Sequence, residues 1–483
     1  MNFKNAVRIG YTVLIAGILT LPAVLLPAMN KEQENTENRS LADFPSARTE
    51  EGKLNTSFFE QVEAWFTDHF ALRSELVTAY GSLSKTVFAT SAEDSVIIGK
   101  DGWLYYAETV PSATGVRSIS DAEIKKIVHT LEMANSYCEL NGAKLIFACA
   151  PNKSSVYPDY LPARYLKTGS SNDLDALHAA LSDTAVTVCD LRSVLRQAAK
   201  ESGLQQYHKL DTHWNGDGAM TAYQALMQTA RLDDYGYSAC ERTETQDFSG
   251  DLWNMLFPSQ DNPDRNAQYG IPETHKMLGR YRGTDDITIR SECENGEGTL
   301  LMFRDSFGRA LIPILSERFF SCTYSRQSAV PLDNISASQT DIVIWEIVER
   351  NLANLLCNAP RFPAPEYSSG FVIQNCESAA LTMQAQPQGY YYHICGLYDI
   401  AYSDNSGVYC TVSGADGQPH TFEAFPCCET DLLGLEQHSA NGFSLYLPVD
   451  ALREDTEVQI SVQQGSNYYC MGTKKLAEIT VSE

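Results

Sequence analysis

A chain of 483 residues, 43% apolar and 20% charged, has room for two or three domains and enough apolar material for a real core. Its 61 acidic residues against 36 basic ones leave a formal charge of -25, which argues against nucleic acid as a partner, since phosphates are held by Lys and Arg that displace counterions. The same excess argues against a strongly anionic polymer as substrate unless a local basic groove receives it.

At the N-terminus, Lys4 and Arg8 precede an uncharged run from Ile9 to Met29. That run is about as long as the roughly 20 residues a helix needs to cross hydrocarbon. Basic residues on its leading side predict that the remainder lies outside the cytoplasmic membrane. Residues 1–30 are read as a signal anchor, with a cleaved signal peptide as the alternative. Residues 30–50 are polar and irregular. From Asn55 to Val87 the spacing of Phe58, Phe59, Val62, Trp65 and Phe66, then Leu72, Leu76 and Tyr80, predicts helix. "SVIIGKDGWLYY" (95–106) predicts two strands around a Lys100-Asp101-Gly102 turn.

The rhythm then alternates between helix and strand. Ser120 and Glu123 form a capping-box pattern that opens a helix ending near Gly142. "AKLIFACA" (143–150) is a buried strand, 173–181 a helix, "AVTVCDL" (185–191) a strand and 217–230 a helix. "GTLLMFRDSFG" (298–308) is a strand entering a turn, 309–317 a helix, and "DIVIWEIV" (341–348) another strand. Continuous apolar strands between helices predict an α/β domain over 31–360, with a parallel sheet flanked by helices and ligands at the strands' carboxyl ends. The Pro-rich 357–370 stretch reads as a linker. Beyond it, short alternating strands predict an all-β sandwich over 361–483. Its tyrosines, among them Tyr390, Tyr391, Tyr392, Tyr398, Tyr402, Tyr468 and Tyr469, are either sugar-stacking rings or ordinary strand residues.

Thirteen cysteines occur without a C-x-x-C pair or a Cys/His ladder, so no zinc spacing is present. Six of them (Cys376, Cys395, Cys410, Cys427, Cys428 and Cys470) lie in the sandwich, where an exported location would allow some bridges. Cys149 and Cys189, in strand-like runs, are expected as buried thiols.

Ser306 follows an apolar strand directly and precedes a helix, so it projects from the sheet's carboxyl edge. A serine hydroxyl needs a base to act as a nucleophile. His213 can take its proton, and Asp211, two residues earlier on the same side of an extended segment, can hold the other ring nitrogen. A metal reading would take His208, Asp211 and His213 as H-x-x-D-x-H, without a specific fourth ligand. Trp214 is a candidate for lining the cleft, with burial in the core as the alternative.

Seven separated pieces carry a family resemblance: "ENRSLADFP" (37–45), "FTDHFALR" (66–73), "GKDGWLYY" (99–106), "PNKSSVYPDYLP" (151–162), "DTHW" (211–214), "RDSFG" (304–308) and "EIVERNL" (346–352). Together they resemble the DHHW proteins and the AlgJ- and AlgX-like proteins of polysaccharide O-acetylation, cell-envelope relatives of the SGNH hydrolases. The resemblance implies an SGNH-like domain with a Ser306–His213–Asp211 triad; no metal and no cofactor are expected. Thr212 stands where the DHHW motif has His, and Arg304 where the usual serine block has Gly. Further candidates for the oxyanion site or for substrate are the Ser306 amide, Asn152, Lys153, Arg304, Glu349 and Arg350. Asp68, His69 and Arg73 are expected to brace the N-terminal segment on the core. The implied reaction is acetyl transfer onto a cell-surface or secreted polysaccharide, with the acetyl group supplied by a membrane acyltransferase partner. A polysaccharide acetylesterase, or a catalytically silent carbohydrate-binding scaffold, is the alternative.

Overall fold

The computed structural model describes residues 8–13, 15–17, 20, 41–49, 52–327, 329–368, 373–375, 380–413 and 417–481. Most of the 9–29 run and Cys376 lie outside the described residues. Among those described, no helix is long and apolar enough to cross a membrane.

The N-terminal arm contains two helices, α1 (Phe58–His69) and α2 (Arg73–Leu83), where the spacing predicts one. The break falls where Phe70 is extended and Leu72 takes a left-handed φ of 64°, a conformation no helix interior accepts. Next come β1 (Val96–Ile98) and β2 (Leu104–Tyr106), an antiparallel pair around Asp101 and Gly102, both with positive φ.

The α/β body follows as α3 (Asp121–Leu140), β3 (Lys144–Ala150), α4 (Asp173–Leu181), β4 (Thr187–Cys189), α5 (Leu191–Glu201) and α6 (Gly216–Ala230). It continues through β5 (Arg242–Phe248), α7 (Asp251–Leu256), β6 (Asp264–Tyr269), β7 (Lys276–Leu278), β8 (Thr288–Glu292) and β9 (Thr299–Phe303), then α8 (Ile312–Arg318), β10 (Ser321–Ser325) and β11 (Ile342–Val348). The sheet order is β4-β3-β11-β9-β10-β8-β7. The first five strands are parallel, as the apolar runs predict; β8 and β7 extend the edge antiparallel. Alternation sorts the core. Ile146, Ala148, Leu300, Met302, Ile342 and Ile344 pack with α5, α6 and α8, while Leu145, Phe147, Leu301, Phe303, Val343 and Trp345 pack with α3 and α4. β5 and β6 pair into a hairpin outside this sheet, with α7 between them. α2 lies across α7, where a Cβ on Gly81 would fall 2.5 Å from the Leu256 carbonyl oxygen.

The C-terminal part stacks a three-stranded sheet, β13 (Thr382–Gln388), β14 (Tyr391–Leu397) and β17 (Gly442–Pro448), on five strands. The five are β12 (Ile373–Asn375), β15 (Val408–Ser413), β16 (Pro419–Ala424), β18 (Glu457–Gln464) and β19 (Asn467–Lys475). The stretch expected as a linker is a packed strap. Phe362 stacks on Tyr137 of α3 at 4.3 Å and meets Phe425 edge-on at 5.0 Å. The Ala359 amide donates to Glu429 Oε1 and the Ala364 amide to the Tyr446 carbonyl, at 2.8 and 2.9 Å. Prolines exclude helix there but do not prevent Ala359, Phe362 and Ala364 from being buried. Across the same junction, His438 pairs with Glu123 at 2.8 Å, His129 with Glu423 at 3.0 Å, and Lys126 Nζ with the Ala440 carbonyl. The allowance for disulfides is corrected: every described cysteine is a free thiol.

Candidate active site

The turn after β9 is fixed by Asp305. Its Oδ1 accepts the Phe307 amide at 2.8 Å, its Oδ2 accepts the Val348 amide at 2.6 Å, and its own amide donates to Glu346 Oε2 at 3.0 Å. Burial, then the Asp305 charge, pushes the Glu346 carboxyl well above the usual carboxylate range. Gly308 is required by sterics, since a Cβ would fall 2.7 Å from Arg304 Cβ. Ser306 therefore sits half-exposed at the end of β9, at the start of a 3-10 turn that leads into α8.

The partner segment is a hairpin-like loop closed by a bridge between Tyr207 and Trp214. Buried Lys153 clasps it from the end of β3, donating to the carbonyls of His208 at 3.1 Å, Lys209 at 3.0 Å and Asp211. Burial pulls the Lys153 ammonium down to about 8, against the opposing charge of Asp211. Asp211 Oδ1 accepts both the His213 amide at 2.8 Å and His213 Nδ1 at 2.7 Å, and its Oδ2 accepts the Asp251 amide at 2.8 Å. Burial pushes the Asp211 carboxyl up. The charge of His213 and the hydrogen bonds from His213 and the Asp251 amide outweigh burial and hold it well below the usual range. On the other side of the ring, His213 Nε2 lies 2.8 Å from Ser306 Oγ. Phe307 supports the ring at 4.8 Å and meets Trp214 edge-on at 5.0 Å.

Asp251, at the start of α7, is a site residue that sequence reasoning missed. Its Oδ1 accepts the Thr212 amide at 2.8 Å, and its Oδ2 accepts the Thr212 hydroxyl at 2.6 Å and lies 3.8 Å from His213 Nδ1. Burial and then the charge of Asp211 push its carboxyl up to about 6. Nothing in "FSGDLWN" marks that aspartate, because only the fold brings α7 to the loop. The H-x-x-D-x-H metal reading is corrected. His208 turns away, stacks on Phe248 at 3.8 Å and faces the Arg265 carbonyl at 2.9 Å. Asp211, His213 and Asp251 do lie within 4.8 Å of one another, but His213 Nδ1 is already engaged by Asp211 and Nε2 faces Ser306.

The other predicted residues divide. Arg350 lines the cleft, with its guanidinium over Tyr106 and Phe307 at 5.8 and 5.7 Å. Trp214 is buried but contributes an edge to the cleft. Glu349 is an internal tie: it accepts the Ser112 hydroxyl at 2.6 Å, the Asn152 amide at 2.9 Å and Asn172 Nδ2 at 2.9 Å. Asn152 is buried after β3, and its side-chain amide has no partner among the described residues. Arg304 points behind the turn, to the carbonyls of Thr284, Asp305 and Asp286, and burial pulls its guanidinium down to about 10. Asp68 accepts the Ala42 amide, and His69 and Arg73 face the Trp65 and Thr67 carbonyls, all within the arm.

The cleft over Ser306 has a volume of about 1230 Å³. The β5–β6 hairpin forms one wall through Phe248, Gln268 and Tyr269, and α7 forms another. Arg309 and Arg326 also line it, both paired with Asp285 Oδ1, and the lining further includes Glu108 and Glu273. The sandwich tyrosines are chiefly packing residues: Tyr398 is buried, and Tyr391, Tyr402 and Tyr468 pack on Tyr446, Tyr469 and Tyr409.

Residues 96–275 match the family model described as "SGNH hydrolase-like domain, acetyltransferase AlgX". The chain is 27% identical over 341 residues to the probable alginate O-acetylase AlgJ of Pseudomonas syringae pv. tomato, covering 65% of this chain and 83% of that protein. It is 28% identical over 222 residues to its namesake in Pseudomonas aeruginosa, covering 44% and 53%. Among solved structures, PatB1 of Bacillus cereus aligns with a TM-score of 0.43 at 19% identity, over 52% of this chain and 95% of that one. A DHHW family protein from Eubacterium siraeum aligns with a TM-score of 0.39 at 18% identity, over 49% and 90%. Residues 96–275 are thus similar to the SGNH hydrolase-like domain of AlgX, and the longer chain is similar to the AlgJ proteins.

Proposed function

We propose that the chain is an extracytoplasmic, serine-dependent O-acetyltransferase that acetylates a cell-surface or secreted polysaccharide through an acetyl-Ser306 intermediate. The observation that carries this reading is the continuous relay Asp211–His213–Ser306, with links of 2.7 and 2.8 Å, at a cleft wide enough for sugar units. His213 Nε2 takes the Ser306 proton as Oγ bonds to the acetyl carbon. The donor's bond to that carbon breaks, and His213 hands the proton to the departing group. A sugar hydroxyl then gives its proton to His213 and attacks the acetyl carbon. The Ser306 Oγ–carbon bond breaks, and Oγ recovers the proton.

Charge on the tetrahedral oxygen needs N–H donors. The Phe307 amide is already held by Asp305 Oδ1. That leaves the Ser306 amide as the first candidate, with the Asn152 side chain at the same carboxyl rim as the second. Names of relatives favour a polysaccharide acceptor. A membrane acyltransferase would supply the acetyl group, and the apolar run 9–29 would hold the chain at the membrane. Hydrolysis by the same triad is the second reading, favoured by the open breadth of the cleft.

The test uses a chromogenic acetyl ester with wild type and Ser306→Ala, together with mass spectrometry of the trapped protein. The expected result is a transient acetyl group on Ser306 and a loss of turnover of about 10³-fold or more in the variant. Equal rates in the two proteins would sink the reading. Adding oligosaccharide acceptors separates transfer from release of free acetate.

A further inference from the structure

We infer that Asp251 and Thr212 form a second acid arm on His213, orienting the imidazole and steadying its cationic form alongside Asp211. The inference deepens the serine relay proposed above and rests on it.

His213 Nδ1 faces more than Asp211. The Thr212 hydroxyl oxygen lies 3.1 Å from Nδ1, and that hydroxyl is 2.6 Å from Asp251 Oδ2. A hydroxyl that donates to a carboxylate keeps a lone pair for the ring N–H. The arrangement is therefore forked: one branch goes directly to Asp211, the other through Thr212 to Asp251. The second branch is fixed from both ends. The Thr212 and Leu252 amides donate to Asp251 Oδ1 at 2.8 and 2.7 Å, and the Asp251 amide returns to Asp211 Oδ2. A packing role alone would not require a carboxylate 3.8 Å from the ring nitrogen. Burying two acids beside one imidazole is costly unless the site must at some moment hold a positive charge. That moment comes when His213 takes the serine proton.

The charged and titratable groups around Asp251 are few. Asp211 and His213 come from the loop, Lys153 from the end of β3, and Tyr106 from β2; the last two feel the Asp251 charge. Lys85, just past α2, lies over the Trp253 and Phe257 rings on the outer side of α7. Asp251 supplies the second negative charge at the ring. Thr212 supplies a contact that a histidine or an apolar residue would not make in the same way.

The experiment measures p-nitrophenyl acetate hydrolysis against pH for full-length wild type, Asp251→Asn, Thr212→Val, Thr212→Ser and the double variant Asp251→Asn/Thr212→Val. We expect kcat to fall about tenfold in Asp251→Asn and in Thr212→Val, the loss of one oriented hydrogen bond, with KM little changed. The double variant should be no worse than the poorer single one, because both changes cut the same branch. Thr212→Ser should recover most of the rate. The acid limb of the kcat/KM profile should move to lower pH in Asp251→Asn, where a negative charge is gone, and stay in place in Thr212→Val, where it remains. Unchanged kcat in both single variants, multiplying losses in the double, or failure of serine to rescue would overturn the inference. Should Asp251→Asn not fold, the Val and Ser variants at 212 decide the matter by themselves. Wild-type rates in Ser306→Ala would instead defeat the relay and leave Asp251 without a role.

Discussion

His213 keeps its place through two carboxylate oxygens, Asp211 Oδ1 and Asp251 Oδ2, and the hydroxyls of Thr212 and Ser306, and these contacts set what single substitutions should do. Asp211→Asn leaves the loop's shape but removes the charge nearest Nδ1. A fall in kcat of about 10³–10⁴ is expected, with KM nearly constant, read from steady-state kinetics on an acetyl ester. Asp251 adds a stability effect of definite sign. Its carboxyl is pushed up to about 6 in the folded protein, above the ordinary aspartate value of about 3.9. Its contribution is therefore present below the unfolded value and is lost as pH rises through the folded one. Melting curves should show Asp251→Asn gaining on wild type between about pH 4 and about pH 7; a gap that stays constant or shrinks would contradict this. Asp211 and His213 were legible because i and i+2 share a side of an extended segment, and Ser306 because it follows a continuous apolar strand. Asp251 was not legible, since its meaning depends on where α7 lies. Arg304 and Glu349 misled in the opposite way: charged residues near a site motif were assigned to the cleft, yet both point inward to satisfy backbone and side-chain groups.

Among the elements, the strands fixed by apolar runs and the helices fixed by caps were the readable ones. α3 starts where the Ser120–Glu123 capping box places it, with both reciprocal bonds made. Ser120→Ala should cost about 1 kcal/mol in denaturant unfolding. Glu349, at the end of β11, joins that strand to the end of β3 and to Asn172 at the start of α4. Glu349→Ala would strand the buried Asn152 amide and remove one acceptor from Asn172 and Ser112, and should cost about 1–3 kcal/mol, visible as a drop in melting temperature without a shift in the acid limb of activity. The β5–β6 hairpin escaped notice because it lies outside the main sheet, is largely exposed, and breaks register between Thr245 and Phe248. Without steady alternation there is no period of two to detect. β7 and β8 escaped for a different reason: β7 is a three-residue edge strand, and β8 buries only Ile289 and Ser291 of its five residues.

At the scale of the molecule, the α/β body and the sandwich share apolar core. Phe362, Phe425, Cys427 and Tyr446 belong to the same cluster as Leu131, Leu145 and Phe147. Composition showed where helix stops near residue 357, but it could not show that the following strap is buried. Phe362→Ala should cost about 3–5 kcal/mol, and truncation after residue 360 should give insoluble protein, checked by expression and ultracentrifugation. The junction should also weaken in acid. Burial pushes the Glu123 carboxyl up, but the Ser120 donors and His438 hold it below the usual range. Its contribution is thus present at neutral pH and is lost as pH falls through the folded value. Wild type should lose more melting temperature than Glu123→Gln between about pH 6 and about pH 3. One joint has a wider consequence. Gly81 of the arm touches the Leu256 carbonyl of α7 so closely that no side chain fits between them, and α7 begins at Asp251. A methyl group at Gly81 would therefore act as a wedge against the far end of the helix whose first residue is Asp251.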